Sequence, residues 1–94
     1  MTIEEFRLSV GKNELPAGLP QGLRALWEDA RGNWNEAHSI VQDLHDSAGS
    51  WIHAYLHRKE GDLGNAGYWY RKAGRPNPQD TLEEEWERIV TALL

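Results

Sequence analysis

Apolar residues recur every three or four positions along most of this chain, which is the spacing of amphipathic helices. Five stretches show the pattern, and the one that begins at Gln21 follows Pro20, a residue that favours the first turn of a helix. The apolar positions are Leu23, Leu26, Trp27 and Ala30; Trp34, Ala37, Ile40, Val41 and Leu44; Trp51, Ile52, Ala54, Tyr55 and Leu56; Leu63, Ala66, Tyr70 and Ala73; and Leu82, Trp86, Ile89, Val90 and Leu93.

Residues that begin or end helices stand between these stretches. The predicted N-caps are Asn33 with Glu36, Ser47 or Ser50, Asp62, and Thr81 with Glu84; the predicted helix stops are Gly32, Gly61 and Gly74. Residues 1–10 fit either a helix or a short strand, but Thr2 and Glu5 have capping-box spacing and favour the helix.

We therefore predict an all-α fold in one domain, because 94 residues are enough for only one core. It comprises an arm with a connector rich in proline and glycine (1–19), a first helical hairpin (20–45), a second hairpin (47–74) and an amphipathic C-terminal helix (80–94). The two hairpins are expected to stack on each other.

The two hairpins also share a sequence pattern. A shift of 29 residues superposes Ala25 on Ala54, Gly32 on Gly61, Asn33 on Asp62, and Ala37 on Ala66. Within residues 51–78, the residues Gly61, Asp62, Ala66, Tyr70, Ala73 and Pro78 resemble a tetratricopeptide or Sel1-like repeat. This resemblance implies stacked helical hairpins that act as an interaction module. The same region also resembles a segment of small microbial proteins of uncharacterised function, and this second resemblance implies no activity.

Composition excludes several kinds of chemistry. The chain has no cysteine, so disulfides, cysteine-based zinc sites and thiol nucleophiles are ruled out. No apolar run approaches the ~20 residues of a membrane span, and residues 1–10 lack the features of a signal peptide. We therefore expect no membrane contact and a cytoplasmic location.

Charge is divided unevenly along the chain, whose net charge is −5. Residues 47–78 carry five basic and two acidic groups among several aromatic residues, but the overall acidity argues against nucleic acid as a partner. We expect the acidic last helix to lie near these basic groups and to form surface pairs of little energetic value. The acidic residues are Glu83, Glu84, Glu85 and Glu87; the basic ones are Arg58, Lys59, Arg71, Lys72 and Arg75.

Histidine spacing gives the most specific hypothesis of a site. His53 and His57 are four residues apart on a predicted helix, Glu60 shares their sector, and His38 could add a nitrogen from the neighbouring helix. These four residues could hold a zinc, iron or manganese ion. The competing interpretation is that His53 and His57 are partly buried and bind neighbouring helices or line a polar groove. His45 is predicted to lie in the last turn of its helix, where a cation is favoured.

The fourth predicted helix offers a second candidate surface. Tyr68 points away from the apolar stripe, so we expect it to be partly exposed beside Arg71 or, alternatively, packed beneath the N-terminal arm. Gly64 and Gly67 weaken a helix interior, and close packing against another helix is the expected reason.

Three functions fit these observations. The first is a small interaction module that binds a protein segment or small ligand in a groove bordered by His38, His53, His57, Glu60, Tyr68 and Arg71. The second is a metal-dependent or histidine-assisted enzyme that uses His38, His53, His57 and Glu60. The third is a structural homo-oligomer. No cofactor other than a metal ion is predicted.

Overall fold

The computed structural model describes residues 1–94 and contains six helices and no strand. The helices are α1 (Ile3–Gly11), α2 (Gln21–Ala30), α3 (Trp34–Gln42), α4 (Ser47–Glu60), α5 (Leu63–Ala73) and α6 (Leu82–Leu93). The all-α fold class is confirmed. The N-terminal residues form a helix rather than a strand, and the predicted capping box is present: Thr2 accepts a hydrogen bond from the Glu5 amide and Glu5 accepts one from the Thr2 amide.

Helix α4 lies at the centre of the molecule. It contacts α2, α3, α5 and α6, and every residue from Gly49 to His57 is buried. The amphipathic pattern read from the sequence therefore describes this helix incompletely, because a helix surrounded by neighbours is buried on all its faces. Its polar residues consequently need partners inside the protein.

The other helices are arranged in two groups around α4. Helices α2 and α3 form one hairpin and α4 and α5 form the other, with α3 beside α4. Helix α6 packs against α2 and α4, and its backbone lies close to neither α3 nor α5. Helix α1 packs against α2 and α6. Phe6 of α1 is fully buried against Trp86 of α6, so the two ends of the chain share one part of the core.

Glu85 of α6 is the most unusual core residue, because its carboxylate has no solvent exposure. It accepts hydrogen bonds from the Trp51 indole at 3.1 Å, from Arg58 at 2.9 Å and from the Tyr70 hydroxyl at 2.7 Å. These bonds connect α4, α5 and α6. Arg58 also donates to the backbone carbonyl of Asp80. The expectation that the acidic helix meets the basic segment is confirmed here, but as a buried pair rather than a surface one.

Several predicted helix ends are confirmed. Gly61 and Gly74 adopt left-handed conformations with φ of 89° and 72°, and the side chain of Asp62 accepts a hydrogen bond from the Asn65 amide. At the start of α6, the Thr81 and Glu84 capping box is present.

Two predicted caps are wrong. Asp46, rather than Ser47 or Ser50, caps α4 by accepting a hydrogen bond from the Gly49 amide at 2.7 Å. Asn33 occupies the N-cap position of α3, but its side chain donates to Glu28 instead of capping the helix.

Other expectations fail because they assumed an ideal amphipathic helix. Leu63 was assigned to the core, yet it is 70% exposed. Gly64 faces open space, so close packing does not explain it, and a side chain at Gly67 would meet only Arg71. His45 lies beyond the end of α3 at Gln42 and cannot interact with that helix end.

Of the tryptophans in the predicted apolar stretches, Trp27, Trp51 and Trp86 are buried, whereas Trp34 is half-buried. No helix has the length and apolar character needed to cross a membrane.

We expect Glu85→Ala to destabilise the protein by about 3–5 kcal/mol, because it leaves Arg58 without its buried partner. Glu87→Ala is the matched control: this neighbour makes an exposed pair with Arg7 and should cost less than about 1 kcal/mol. Urea unfolding measures both values. If Glu85→Ala fails to fold, Glu85→Gln is compared with Glu87→Ala instead. Its amide oxygen can still accept hydrogen bonds from Trp51 and Tyr70. Equal effects at residues 85 and 87 would contradict this account.

Candidate functional site

Three histidines from two helices meet at the contact between α3 and α4. The rings of His38 and His53 are centred 4.8 Å apart, those of His38 and His57 5.1 Å, and those of His53 and His57 4.9 Å. One ring nitrogen from each residue lies within 4.8 Å of the other two. The four-residue spacing on α4 aligns His53 with His57, and the packing of α3 against α4 brings His38 to them.

Two tryptophans enclose this histidine cluster. Trp34 stacks on His38 with ring centres 4.9 Å apart and donates a hydrogen bond from its indole to the Leu56 carbonyl. On the other side, Trp69 of α5 stacks on His53 at 3.9 Å. The tryptophans hold the rings in position and exclude water, so that His53 and His57 are each only 6% exposed.

The hydrogen bonds of the cluster define its protonation. The Gln42 amide donates to Nδ1 of His38 at 2.8 Å, so neutral His38 carries its proton on Nε2. That nitrogen lies 3.1 Å from Nε2 of His53 and donates to it. His57 donates from Nδ1 to the Glu60 carboxylate at 2.7 Å, which leaves Nε2 of His57 as its free acceptor.

Burial favours the neutral state in two of the rings. Burial, followed by the nearby His38 and His57, lowers the pKa of His53 to about 4. Burial, followed by His57, also lowers the pKa of His38, and Glu60 opposes this shift. At neutral pH, His53 and His38 are therefore uncharged.

The structure separates the other candidate residues from these rings. Glu60 accepts a hydrogen bond from Nδ1 of His57, so it contacts the cluster through that ring. Tyr68 is 49% exposed, which excludes burial beneath the N-terminal arm, and its ring contacts Trp69 rather than a histidine. Arg71 is exposed on α5. Of the six residues predicted to border a groove, the structure brings His38, His53 and His57 together, with Glu60 bonded to His57.

The interpretation of His53 and His57 as buried residues is confirmed, and so is their meeting with His38. Both side chains are held in the packing, because His53 stacks on Trp69 and both rings are buried between α3, α4 and α5.

Two parts of the cluster were missed in the sequence: Gln42 and Trp69. Gln42 lies four residues after His38, so helical spacing could have found it. Trp69 belongs to another helix, and only the tertiary fold brings it to His53.

Comparison with known proteins adds no relative: no family model, curated protein or solved structure matches the chain.

We expect the metal-free protein to lose stability as the pH falls from 7 to 5. Unfolded His53 takes up a proton near pH 6.5, whereas folded His53 does so near pH 4. Between these values the unfolded state binds more protons, so acid favours unfolding. The melting temperature should fall less in His53→Gln than in the wild type, while the exposed control His45→Gln should follow the wild type. An NMR titration that placed the pKa of His53 near 6.5 would contradict the expectation.

Proposed function

We propose that this chain is a small helical domain that binds a divalent transition-metal ion, foremost Zn²⁺, through His38, His53 and His57. The observation that supports it is the convergence of three imidazoles from α3 and α4, with one nitrogen of each within 4.8 Å of the others. Imidazole nitrogen is a preferred ligand of zinc, nickel and copper.

The distances fit zinc with a small adjustment. Two nitrogens bound at 2.0–2.1 Å in a tetrahedral site are about 3.4 Å apart. The Nε2 atoms of His38 and His53 are already 3.1 Å apart. The remaining adjustment is a movement of His57 toward this pair, which a small rotation of its side chain can supply.

The tautomers fit as well. A rotation of the Gln42 amide by 180° places its oxygen on Nδ1 of His38, which moves the ring proton there and frees Nε2. Glu60 already holds the proton of His57 on Nδ1. Such outer hydrogen bonds are typical of histidine ligands and raise their basicity.

Three protein ligands leave a fourth position for water or an anion, which is the arrangement of catalytic zinc sites. The metal-dependent form of the enzyme hypothesis is therefore a special case of metal binding. It requires the metal first and, in addition, a substrate that reaches the fourth position.

Isothermal titration calorimetry with ZnCl₂ tests the proposal. We expect one site per chain at pH 7.5 and loss of binding in His38→Ala, whose half-buried side chain can be removed with the least risk to folding. His53→Gln should also abolish binding, whereas His45→Ala, an exposed histidine outside the cluster, should bind as the wild type does. Glu60→Gln should weaken binding by about 10–100-fold, with Glu36→Gln, an exposed glutamate outside the cluster, as its control.

Tryptophan fluorescence provides an independent measurement, since Trp34 and Trp69 stack directly on two of the ligands. Zinc should change the emission of the wild type but not that of His38→Ala. Absence of zinc binding in the folded wild-type chain, or equal binding by His38→Ala, would refute the proposal.

A second candidate function is a module that binds a protein segment through the outer face of α5. It is supported by the resemblance of residues 51–78 to a tetratricopeptide repeat and by the exposure of Leu63 and Tyr68, with Lys72 over the Tyr68 ring. The homo-oligomer hypothesis concerns the amphipathic last helix or the Trp-rich faces, and the exposed face of α5 is a further surface through which two copies can pair.

Light scattering at two concentrations distinguishes self-association through this face. If the face pairs with a second copy, Tyr68→Ala should shift the chain toward the monomer without lowering its melting temperature by more than a few degrees. A monomeric wild type at both concentrations would exclude the homo-oligomer and leave a different protein segment as the partner.

A further inference from the structure

A separate cavity of about 410 Å³ lies where α1, α2, α4 and α6 meet. This volume lies within the range of pockets that hold small organic molecules. None of its lining residues belongs to the histidine cluster. Its occupant is therefore a question independent of metal binding.

The apolar part of the cavity is suited to a flat ring. Trp86 and Tyr55 are buried aromatic residues held in place by other contacts: Trp86 donates to the Leu26 carbonyl at 3.1 Å and packs on Phe6. Val10, Ala30 and Leu82 complete the apolar lining. Because these aromatic side chains are already fixed, they lose little conformational entropy when an aromatic ligand binds, and this loss reduces the affinity only slightly.

The polar part of the cavity has more free donors than acceptors. Asp29 is buried, and its two oxygens already accept hydrogen bonds from Lys59 at 3.0 Å and from the Tyr55 hydroxyl at 3.1 Å. Lys59 keeps two further N–H groups for other partners. Lys59 can therefore still donate hydrogen bonds to a ligand, whereas both oxygens of the buried Asp29 carboxylate already accept one.

Arg7 adds a second cation to the same wall. Its guanidinium lies 5.8 Å from the centre of the Trp86 ring, and only one of its hydrogen bonds, to Glu87 at 2.9 Å, is made within the protein. Glu83 opposes these cations from the edge of the cavity, and it is exposed to water, as Arg7 and Lys59 also are. The two cations outnumber this single exposed carboxylate of the lining.

We propose that this cavity binds a small aromatic carboxylate, with the ring against Trp86 and Tyr55 and the carboxylate between Arg7 and Lys59. A carboxylate accepts hydrogen bonds from both cations at once, and such charge-assisted bonds are stronger than neutral ones. A cationic ligand would be repelled by these groups, and a neutral carbonyl would accept weaker hydrogen bonds from them than a carboxylate does.

The test compares 2-naphthoate with 2-naphthamide, which has the same ring but no charge, in an NMR titration of the ¹⁵N-labelled full chain. We expect naphthoate to bind at least about tenfold more tightly and to shift the Trp86 indole resonance. Arg7→Gln should reduce this preference several-fold, because Arg7 is exposed on α1 and its removal leaves the fold intact. Lys59→Gln should do the same, with circular dichroism confirming that this variant folds.

Three more variants locate the binding site. Ala30→Leu should fill the cavity and prevent binding of naphthoate, Glu83→Gln should strengthen it by removing the opposing charge, and Lys72→Gln, which removes a cation outside the cavity, should leave it unchanged. The proposal is overturned if the amide binds as tightly as the acid, if neither binds at millimolar concentration, or if Ala30→Leu binds naphthoate normally. None of these results affects zinc binding by the histidine cluster, so the two proposals fail separately.

Discussion

The buried carboxylate of Glu85 is the constraint on which the arrangement of helices depends. A charge without contact to water is costly unless every oxygen is paired, and here the partners come from two other helices, Trp51 and Arg58 on α4 and Tyr70 on α5. Their geometry fixes the register of α6 against α4. Burial of Tyr70 and, second, its hydrogen bond to Glu85 raise the pKa of Tyr70, so its hydroxyl keeps its proton and donates the hydrogen bond. Once α6 is fixed, Trp86 is in place beside α1 and α2.

Local signals in the sequence were enough to predict the helices and most of their ends. Gly61, Gly74 and the Thr81 capping box act within one turn of the chain, and their roles do not depend on distant residues. Errors arose where tertiary contacts decide. The burial of α4 on all faces could not be predicted, because it results from four neighbouring helices, and Leu63 is exposed because no helix covers that side of α5.

In the candidate sites too, contacts within one helix could be predicted and contacts between distant helices could not. Helical spacing brought His53 and His57 together, and the adjacency of two helices made His38 a reasonable third member. The role of Glu60 was harder to predict. Spacing shows that Glu60 is close to His57, but it does not show which nitrogen of the imidazole ring bonds to the carboxylate. The cavity at Trp86 was missed entirely, since its walls come from helices as far apart in the chain as α1 and α6.

The contact between α1 and α6 has a consequence for synthesis of the chain on the ribosome. Phe6 and Arg7 meet Trp86 and Glu87, residues about eighty positions later. The two hairpins between them contain mostly local contacts and can form as soon as they emerge. Helix α1 is made before the hairpins but lacks one of its two partner helices until α6 has been translated, and until then the face that meets α6 is available to chaperones or to another nascent chain. Helix α1 thus precedes the hairpins in synthesis and completes its contacts after them.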